Sequence, residues 1–312
     1  MEIDTRRASL ERLIDDAGLF PPASLSMEEA TRLHLENRNG PLGWMLGRFL
    51  APASRLEELA PYVPDPDESG PWRISAVLDG ASSDPARLAD DLSRVAGFSK
   101  RAEGRALVEL VEVRVASAPD VDEVVDAVAR AGVGTPVAPF IEVPHDADLS
   151  APLEAIAEAR ARCSNEDPCA PPGAKIRCGG TDEGATPSPT RVADFIARCR
   201  ELAIPFKATA GLHHPIRHVD PATGQIQHGF VNLIGASALA LDDVLTREEL
   251  QSVISEEDPA SFGFEPDALR WHDHHAAAAS VHAARRDLFV AYGSCSFTEP
   301  TDDLRELGLL PA

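Results

Sequence analysis

The chain has 312 residues, a hydrophobic fraction of 44%, a charged fraction of 26% and a formal net charge of −22. This strong negative charge argues against binding to nucleic acid or to an anionic membrane surface. No apolar stretch approaches the roughly 20 residues that span a bilayer, and the N-terminus lacks the basic and apolar regions of a signal peptide. We therefore expect a cytoplasmic protein. The five cysteines include no CxxC pair, so neither a disulfide framework nor a zinc ribbon is indicated.

Short apolar runs alternate with amphipathic stretches along the whole chain. Ser26, followed three residues later by Glu29, predicts the start of the first helix. Further helices are predicted to start near Ser54 and Asp84. The other predicted helices cover residues 119–131, 150–162, 188–202 and 228–257, with a last one, rich in alanine and histidine, after residue 271. The predicted strands cover residues 12–20, 44–50, 72–78, 106–115, 136–143, 174–178, 205–209 and 262–271. Within the last of these, Phe264-Glu265-Pro266-Asp267 fits a turn equally well.

Eight strand–helix units in about 300 residues favour a closed (β/α)8 barrel over an open doubly wound sheet. No G-x-G-x-x-G sequence follows the first strand, so a dinucleotide-binding fold is not indicated. We predict a single TIM-type (β/α)8 barrel domain over residues 1–312, with a C-terminal helical extension.

Lysine is rare in this chain, and two of its three lysines stand at the ends of predicted strands six and seven. Residues two apart on a strand share a face, and strand C-termini point into the active-site mouth of such a barrel. Lys175 and Arg177 therefore share a face, as do Lys207 and Thr209, and both amines are expected to reach one pocket. Like charges held together lower the pKa of a lysine, which makes the amine a nucleophile towards carbonyl carbon.

Glycines follow both lysine strands, and they allow backbone amides to approach an anionic group closely. These glycines are Gly179, Gly180 and Gly211. An alternative interpretation is that the lysines form a structural network with carboxylates inside the barrel. The candidate carboxylates are Glu109, Glu112 and Glu142.

Over residues 174–211 the chain resembles the class I aldolases of the deoxyribose-phosphate aldolase group. The resemblance implies a Schiff-base lysine at Lys175 on the sixth strand and a cation at Lys207 that tunes its pKa. The chain also departs from that family. Ile176-Arg177-Cys178 replaces a Thr/Ser-rich run, the second glycine after the seventh-strand lysine is missing, and Leu212-His213-His214-Pro215 is foreign to the family.

Histidines and carboxylates near the strand ends complete the predicted site. His213 and His214 follow the seventh strand, where imidazoles can transfer protons or bind a divalent metal. Since adjacent residues on an extended segment point apart, we expect one of the pair to function, together with His228. Carboxylates at strand ends suit acid/base chemistry. These are Asp15, Asp16, Asp79 and Glu142.

Three further features are interpreted from their surroundings in the sequence. Arg48, in an apolar strand, is expected to face inward and bind an anionic substrate group. His272, His274, His275 and His282 are assigned to an exterior helix, with His275 and His282 on one face. Residues 292–297 superficially resemble a nucleophile turn, but the spacing is not G-x-S-x-G, so Cys295 is predicted to be packed.

Together these features predict a barrel enzyme that acts on a small anionic carbonyl compound, in an aldolase- or lyase-like reaction through a lysine imine and without a cofactor. The expected partner is a small anionic metabolite; nucleic acid and membrane are not expected, and a homo-oligomer is left open. Two alternatives remain. One is a metal-dependent hydrolase or isomerase with His213 or His214, His228, and Asp79 or Glu142 as ligands. The other is a non-catalytic anion-binding barrel.

Overall fold

A computed structural model of the chain describes residues 4–80, 84–132, 136–143, 148–163, 170–180, 185–221, 224–242 and 245–310. Its strands are β1 (Ile14–Asp16), β2 (Leu46–Pro52), β3 (Trp72–Val77), β4 (Ala106–Arg114), β5 (Ala138–Glu142), β6 (Gly173–Arg177), β7 (Phe206–Thr209), β8 (His218–Val219), β9 (Ile226–Gln227), β10 (Phe262–Phe264), β11 (Ala268–Trp271), β12 (His274–Ala277) and β13 (Phe289–Ser294). Its α-helices are α1 (Thr5–Leu10), α2 (Met27–Asn39), α3 (Leu56–Leu59), α4 (Pro85–Arg101), α5 (Asp120–Arg130), α6 (Ser150–Arg162), α7 (Pro189–Glu201), α8 (Phe230–Leu241), α9 (Arg247–Ser255), α10 (Ala278–Asp287) and α11 (Thr298–Glu306).

Eight of these strands close into a barrel. Strands β1 to β7 lie side by side in chain order, and β13 lies between β7 and β1. All eight neighbouring pairs are parallel. The predicted (β/α)8 barrel is confirmed, and each of the first seven predicted strands contains or overlaps a barrel strand.

The prediction of the eighth strand is wrong. Residues 262–271 are divided by Glu265-Pro266 into β10 and β11, which form an antiparallel sheet with β12. Proline has no backbone N–H and cannot donate to a strand ladder, so it interrupts the predicted strand. The eighth barrel strand is β13, an apolar run in which five of six residues are buried.

The C-terminal third differs from the prediction in two further ways. The predicted helix 228–257 is two helices, because Thr246 begins α9 with a capping box that includes Glu249. His274 and His275 lie on β12, and only His282 lies on α10. The helix face that His275 and His282 were expected to share therefore does not exist.

Helix α8 is buried on all sides from Phe230 to Ala240. It packs against α9, α10 and β13, and it also contacts β11 and β12. A helix that is buried on all sides is expected to be apolar around its whole circumference. The segment FVNLIGASALAL is apolar apart from Asn232 and Ser237. None of the described helices is both long and apolar enough to cross a lipid bilayer.

Candidate active site

The two strand-end lysines lie side by side in the barrel. Lys175 is in register with Glu142 on β5 and with Lys207 on β7. Residues in register on neighbouring barrel strands point to the same side of the sheet. The ion pairs described below show that this side is the barrel interior.

Glu112 lies between the two lysines. Its Oε2 is 2.9 Å from Lys175 Nζ, and its Oε1 is 2.5 Å from Lys207 Nζ. Ser75 Oγ donates a further hydrogen bond to Oε1 at 2.7 Å. Burial alone would raise the pKa of Glu112, but the two ammonium groups outweigh it and hold the pKa far below its usual range. Glu112 is thus a buried carboxylate shared by two lysines.

Towards the C-terminal ends of the strands, the contacts continue from Lys175 to the mouth. Lys175 Nζ is 3.1 Å from Glu142 Oε2, and Glu142 Oε1 is 3.8 Å from Nε of the exposed Arg177. Burial would raise the pKa of Glu142, but Lys175 and then Arg177 outweigh this and lower it. Glu142 therefore links Arg177, a cation at the mouth, to the buried amine of Lys175.

In the opposite direction the contacts continue from Lys207. Its Nζ is 2.5 Å from Asp15 Oδ2. Asp15 Oδ1 accepts the backbone N–H of Arg48 at 2.7 Å and is 3.6 Å from Arg48 Nη1. Glycine is required at position 47 for this approach, because a Cβ there would lie 2.2 Å from Asp15 Oδ1.

Arg48 in turn reaches Glu109, which completes a chain of contacts through the barrel. Arg48 Nε is 2.8 Å from Glu109 Oε2, and Arg73 Nε is 2.7 Å from Glu109 Oε1. We call the following alternating groups the axial charge chain: Arg73, Glu109, Arg48, Asp15, Lys207, Glu112, Lys175, Glu142 and Arg177. The structural network considered as an alternative in the sequence is present, and it extends beyond the carboxylates named there.

The expected lowering of the lysine pKa is wrong for Lys175. Burial alone would lower the pKa of Lys175, but Glu112 and Glu142 outweigh burial and raise it. The expected direction follows from the repulsion between Lys175 and Lys207 alone. A carboxylate between those charges reverses the direction of the shift.

The two amines differ in their access to the mouth. Lys175 is 7% exposed, whereas Lys207 is 1% exposed and lies between Asp15 and Glu112. Lys175 is therefore the more exposed amine of this pair.

Arg48 faces the barrel interior, as the sequence predicts. It is the third residue of β2, near the N-terminal end of the strand, and it is held by Asp15 and Glu109. These two carboxylates make Arg48 a member of the axial charge chain, and its contact with an anionic substrate group stays a prediction.

The loops after β6 and β7 touch backbone to backbone. A Cβ on Gly179 would lie 2.8 Å from the Cα of Gly211, and Gly211 has a φ of 67°. Gly180 follows in the same turn, and a Cβ there would lie 2.9 Å from Ala185 Cβ. Thr209 lies beside β13, since a Cβ on Gly293 would be 3.6 Å from Thr209 Oγ1. The predicted glycines and Thr209 thus lie at the C-terminal ends of neighbouring strands.

His213 belongs to a group that the sequence did not predict. Its Nδ1 is 3.0 Å from Glu299 Oε2 on α11 and 3.9 Å from Cys295 Sγ, one residue beyond β13. Contact with Cys295 raises the pKa of His213, burial opposes this, and Glu299 adds to the rise. Cys295 is partly exposed rather than fully packed. The sequence signal for this position is that Cys295 directly follows the apolar run 289–294, which is the eighth barrel strand.

The other predicted polar residues are held separately. His214 Nδ1 is 2.5 Å from Asp303 Oδ2. His228 is wholly buried and donates from Nε2 to the carbonyl of Pro187 at 2.8 Å, and burial lowers its pKa. Asp79 is exposed and accepts a hydrogen bond from the backbone of Ser54 at 2.8 Å.

The predicted metal ligands are therefore not brought together. Among the residues that the structure describes, no group of three or more His, Cys, Asp or Glu side chains is arranged to hold a metal ion. Comparison with protein-family models finds no match, and comparison with curated proteins finds none either.

Proposed function

We propose that the protein is an aldolase- or lyase-like barrel enzyme that forms an imine between Lys175 and a small anionic carbonyl compound. One observation carries the proposal: Lys175 is the amine closer to the mouth, and two carboxylates lie within hydrogen-bond reach of its Nζ. Catalytic groups of (β/α)8 enzymes come from this end of the strands.

The resting state of Lys175 is an ammonium ion, so attack on a carbonyl requires loss of a proton. Glu142, 3.1 Å from Nζ, is the acceptor we assign, because it lies between Lys175 and the mouth. The neutral amine then adds to the carbonyl carbon, and the C=O π electrons move to oxygen. Glu142 returns the proton to that oxygen, which gives a carbinolamine with a protonated nitrogen. A second proton passes from this nitrogen through Glu142 to the hydroxyl group, and water leaves as the C=N bond of the protonated imine forms.

The rest of the charge chain suits this chemistry. A protonated imine carries the same positive charge as the ammonium it replaces, so the Glu112 carboxylate stabilises both states. Lys207 holds Glu112 ionised and does not itself meet the substrate. The exposed Arg177 is available at the mouth for an anionic group of the substrate.

A second function is favoured by the raised pKa of Lys175. An ammonium ion held by Glu112 and Glu142 also suits a barrel that binds an anionic metabolite without turnover.

Borohydride trapping separates the two functions. The protein is incubated with a panel of small anionic aldehydes and ketones, reduced, and mapped by mass spectrometry. We expect a secondary-amine adduct on Lys175, none in Lys175→Met, and an unchanged adduct in Lys100→Met, which removes an exposed lysine. Product formation without an adduct would rule out the imine. Ligand-induced thermal stabilisation with neither adduct nor product would identify a binding protein.

A further inference from the structure

A thiol, an imidazole and a carboxylate meet at the mouth of the barrel, outside the axial charge chain. Cys295 directly follows β13, and His213 comes four residues after the end of β7, the neighbouring strand. His213 Nδ1 is 3.9 Å from Cys295 Sγ and 3.0 Å from Glu299 Oε2 on α11. We call these three residues the thiol cluster.

The turn that carries Cys295 joins a barrel strand to a helix. Cys295, Ser296 and Phe297 connect β13 to α11. Ser294 Oγ donates to the carbonyl of Ser296 at 2.6 Å, and Ser296 Oγ accepts the backbone N–H of Glu299 at 3.2 Å. A sharp turn from strand to helix is the setting in which G-x-S-x-G enzymes present a nucleophile. The spacing differs here, but Cys295 has the corresponding place, and hydroxyl groups brace the turn on both sides of it.

Solvent reaches this thiol. Among the cysteines that the structure describes, Cys163 and Cys295 are partly exposed, and Cys178 and Cys199 are wholly buried. Burial raises the pKa of Cys178 to about 12 and raises that of Cys199 as well, which keeps both thiols protonated and inert. The His213 side chain beside Cys295 is 20% exposed, so a small molecule at the mouth can meet both groups.

Glu299 makes His213 a better base towards the thiol. A bare lone pair on Nδ1 would face a carboxylate oxygen at 3.0 Å, whereas a proton on Nδ1 turns this contact into a charge-assisted hydrogen bond. The state in which the imidazole has taken the thiol proton is therefore stabilised. In agreement with this geometry, contact with Cys295 raises the pKa of His213, burial opposes the rise, and Glu299 adds to it.

We propose that Cys295 is the nucleophile of a second reactive site, with His213 as its base, and that this site takes α,β-unsaturated carbonyl compounds. The sulfur forms a bond to the β-carbon, the C=C π electrons move into the carbonyl group to give an enolate, and the thiol proton passes to Nδ1 of His213. That proton then moves to the α-carbon, and the product is a thioether.

Conjugate addition is the reaction that this cluster suffices for. No group leaves and no oxidant is consumed, so a nucleophile and a proton carrier are the only groups required. Sulfur is a soft nucleophile and prefers the β-carbon of a conjugated system to the harder carbonyl carbon. Lys175 takes no part in this addition, so the proposal does not rest on the proposed imine.

Labelling with N-ethylmaleimide, a conjugated carbonyl compound, tests the site. The rate is measured cysteine by cysteine from peptide masses at about pH 6.5, where an ordinary thiol is almost fully protonated. We expect Cys295 to react about tenfold or more faster than the partly exposed Cys163, and His213→Gln to slow Cys295 alone by about tenfold or more. A rate at Cys295 no higher than at Cys163, or unaltered by His213→Gln, would overturn the proposal.

The neighbouring histidine supplies a matched control. His214 contacts Asp303 rather than the thiol, so His214→Gln should leave the Cys295 rate within about twofold. Equal slowing by both histidine variants would assign the effect to the loop and contradict the role of His213.

A second variant and an internal measurement guard against unfolding. Glu299→Gln keeps the imidazole and should slow the labelling of Cys295 by a smaller factor than His213→Gln; an unaltered rate would contradict the role of Glu299. Cys178 and Cys199 should stay unlabelled in every variant, because both are wholly buried in the folded chain.

Discussion

Glu112 is the residue on which the centre of the charge chain depends. Replacing it with Gln leaves Lys175 and Lys207 buried without the carboxylate that they share. Because an unpaired buried charge is costly, Glu112→Gln should lower the free energy of unfolding by about 3–5 kcal/mol. Ser75→Ala, which removes only a hydroxyl contact to the same carboxylate, should cost about 1–2 kcal/mol. Urea unfolding measures both. Equal and small losses would contradict the assigned role of Glu112.

Because of Glu142, the contribution of the axial charge chain to stability depends on pH. Its folded-state pKa is lowered, so its stabilising contribution is present above the ordinary glutamate pKa and is lost as the pH falls through the folded value. The stability difference between wild type and Glu142→Gln should therefore be constant near neutral pH and shrink below about pH 4. Urea midpoints over a pH series measure this difference. A stability difference between wild type and Glu142→Gln that widens as the pH falls would contradict the lowered pKa of Glu142.

At the scale of elements, the contact between the loops after β6 and β7 can be tested with two glycines. Gly211 and Gly308 have nearly equal positive φ values, 67° and 69°, but only Gly211 has atoms within 4 Å of an added Cβ. Both alanine variants incur the left-handed strain of about 1 kcal/mol. Gly211→Ala should lose more stability in urea unfolding, because its Cβ would be 2.9 Å from Gly179 Cα. Equal losses would show that the loops separate at little cost.

The elements that the sequence predicted well are those with continuous apolar runs bounded by turn residues. Strand β4, for example, lies within the predicted 106–115. The eighth strand was missed for a specific reason. The segment 262–271 has a strand-like composition on both sides of Pro266, whereas Gly293 and Ser294 make the end of β13 resemble a turn.

For the candidate site, the sequence predicted where the lysines lie, but it did not predict the direction of the Lys175 pKa shift. The period-two rule placed Lys175 and Lys207 on one side of adjacent strands, and the structure agrees. The period-two rule could not give the direction of the pKa shift of Lys175. That direction depends on Glu112, which lies on β4, two strands away from β6 in the barrel. Partners that meet across the barrel interior have no fixed sequence spacing.

For the whole molecule, the charge of −22 predicts a response to salt. Mutual repulsion of surface carboxylates destabilises the compact state, and salt screens this repulsion. The melting temperature should therefore rise as NaCl increases from about 0.01 M to about 0.5 M, where the screening length falls severalfold. A fall in melting temperature would contradict the screening account.

The central claim is that Lys175 rests as an ammonium ion held by two carboxylates beside the mouth. With three lysines in the chain, lysine labelled with 13C at Cε should give three NMR signals, assigned with Lys→Arg variants. Titration with pH then reads the pKa of Lys175 directly. The pKa of Lys175 should lie above that of an ordinary lysine, and Glu142→Gln should lower it. A pKa of Lys175 below the ordinary value would contradict the account.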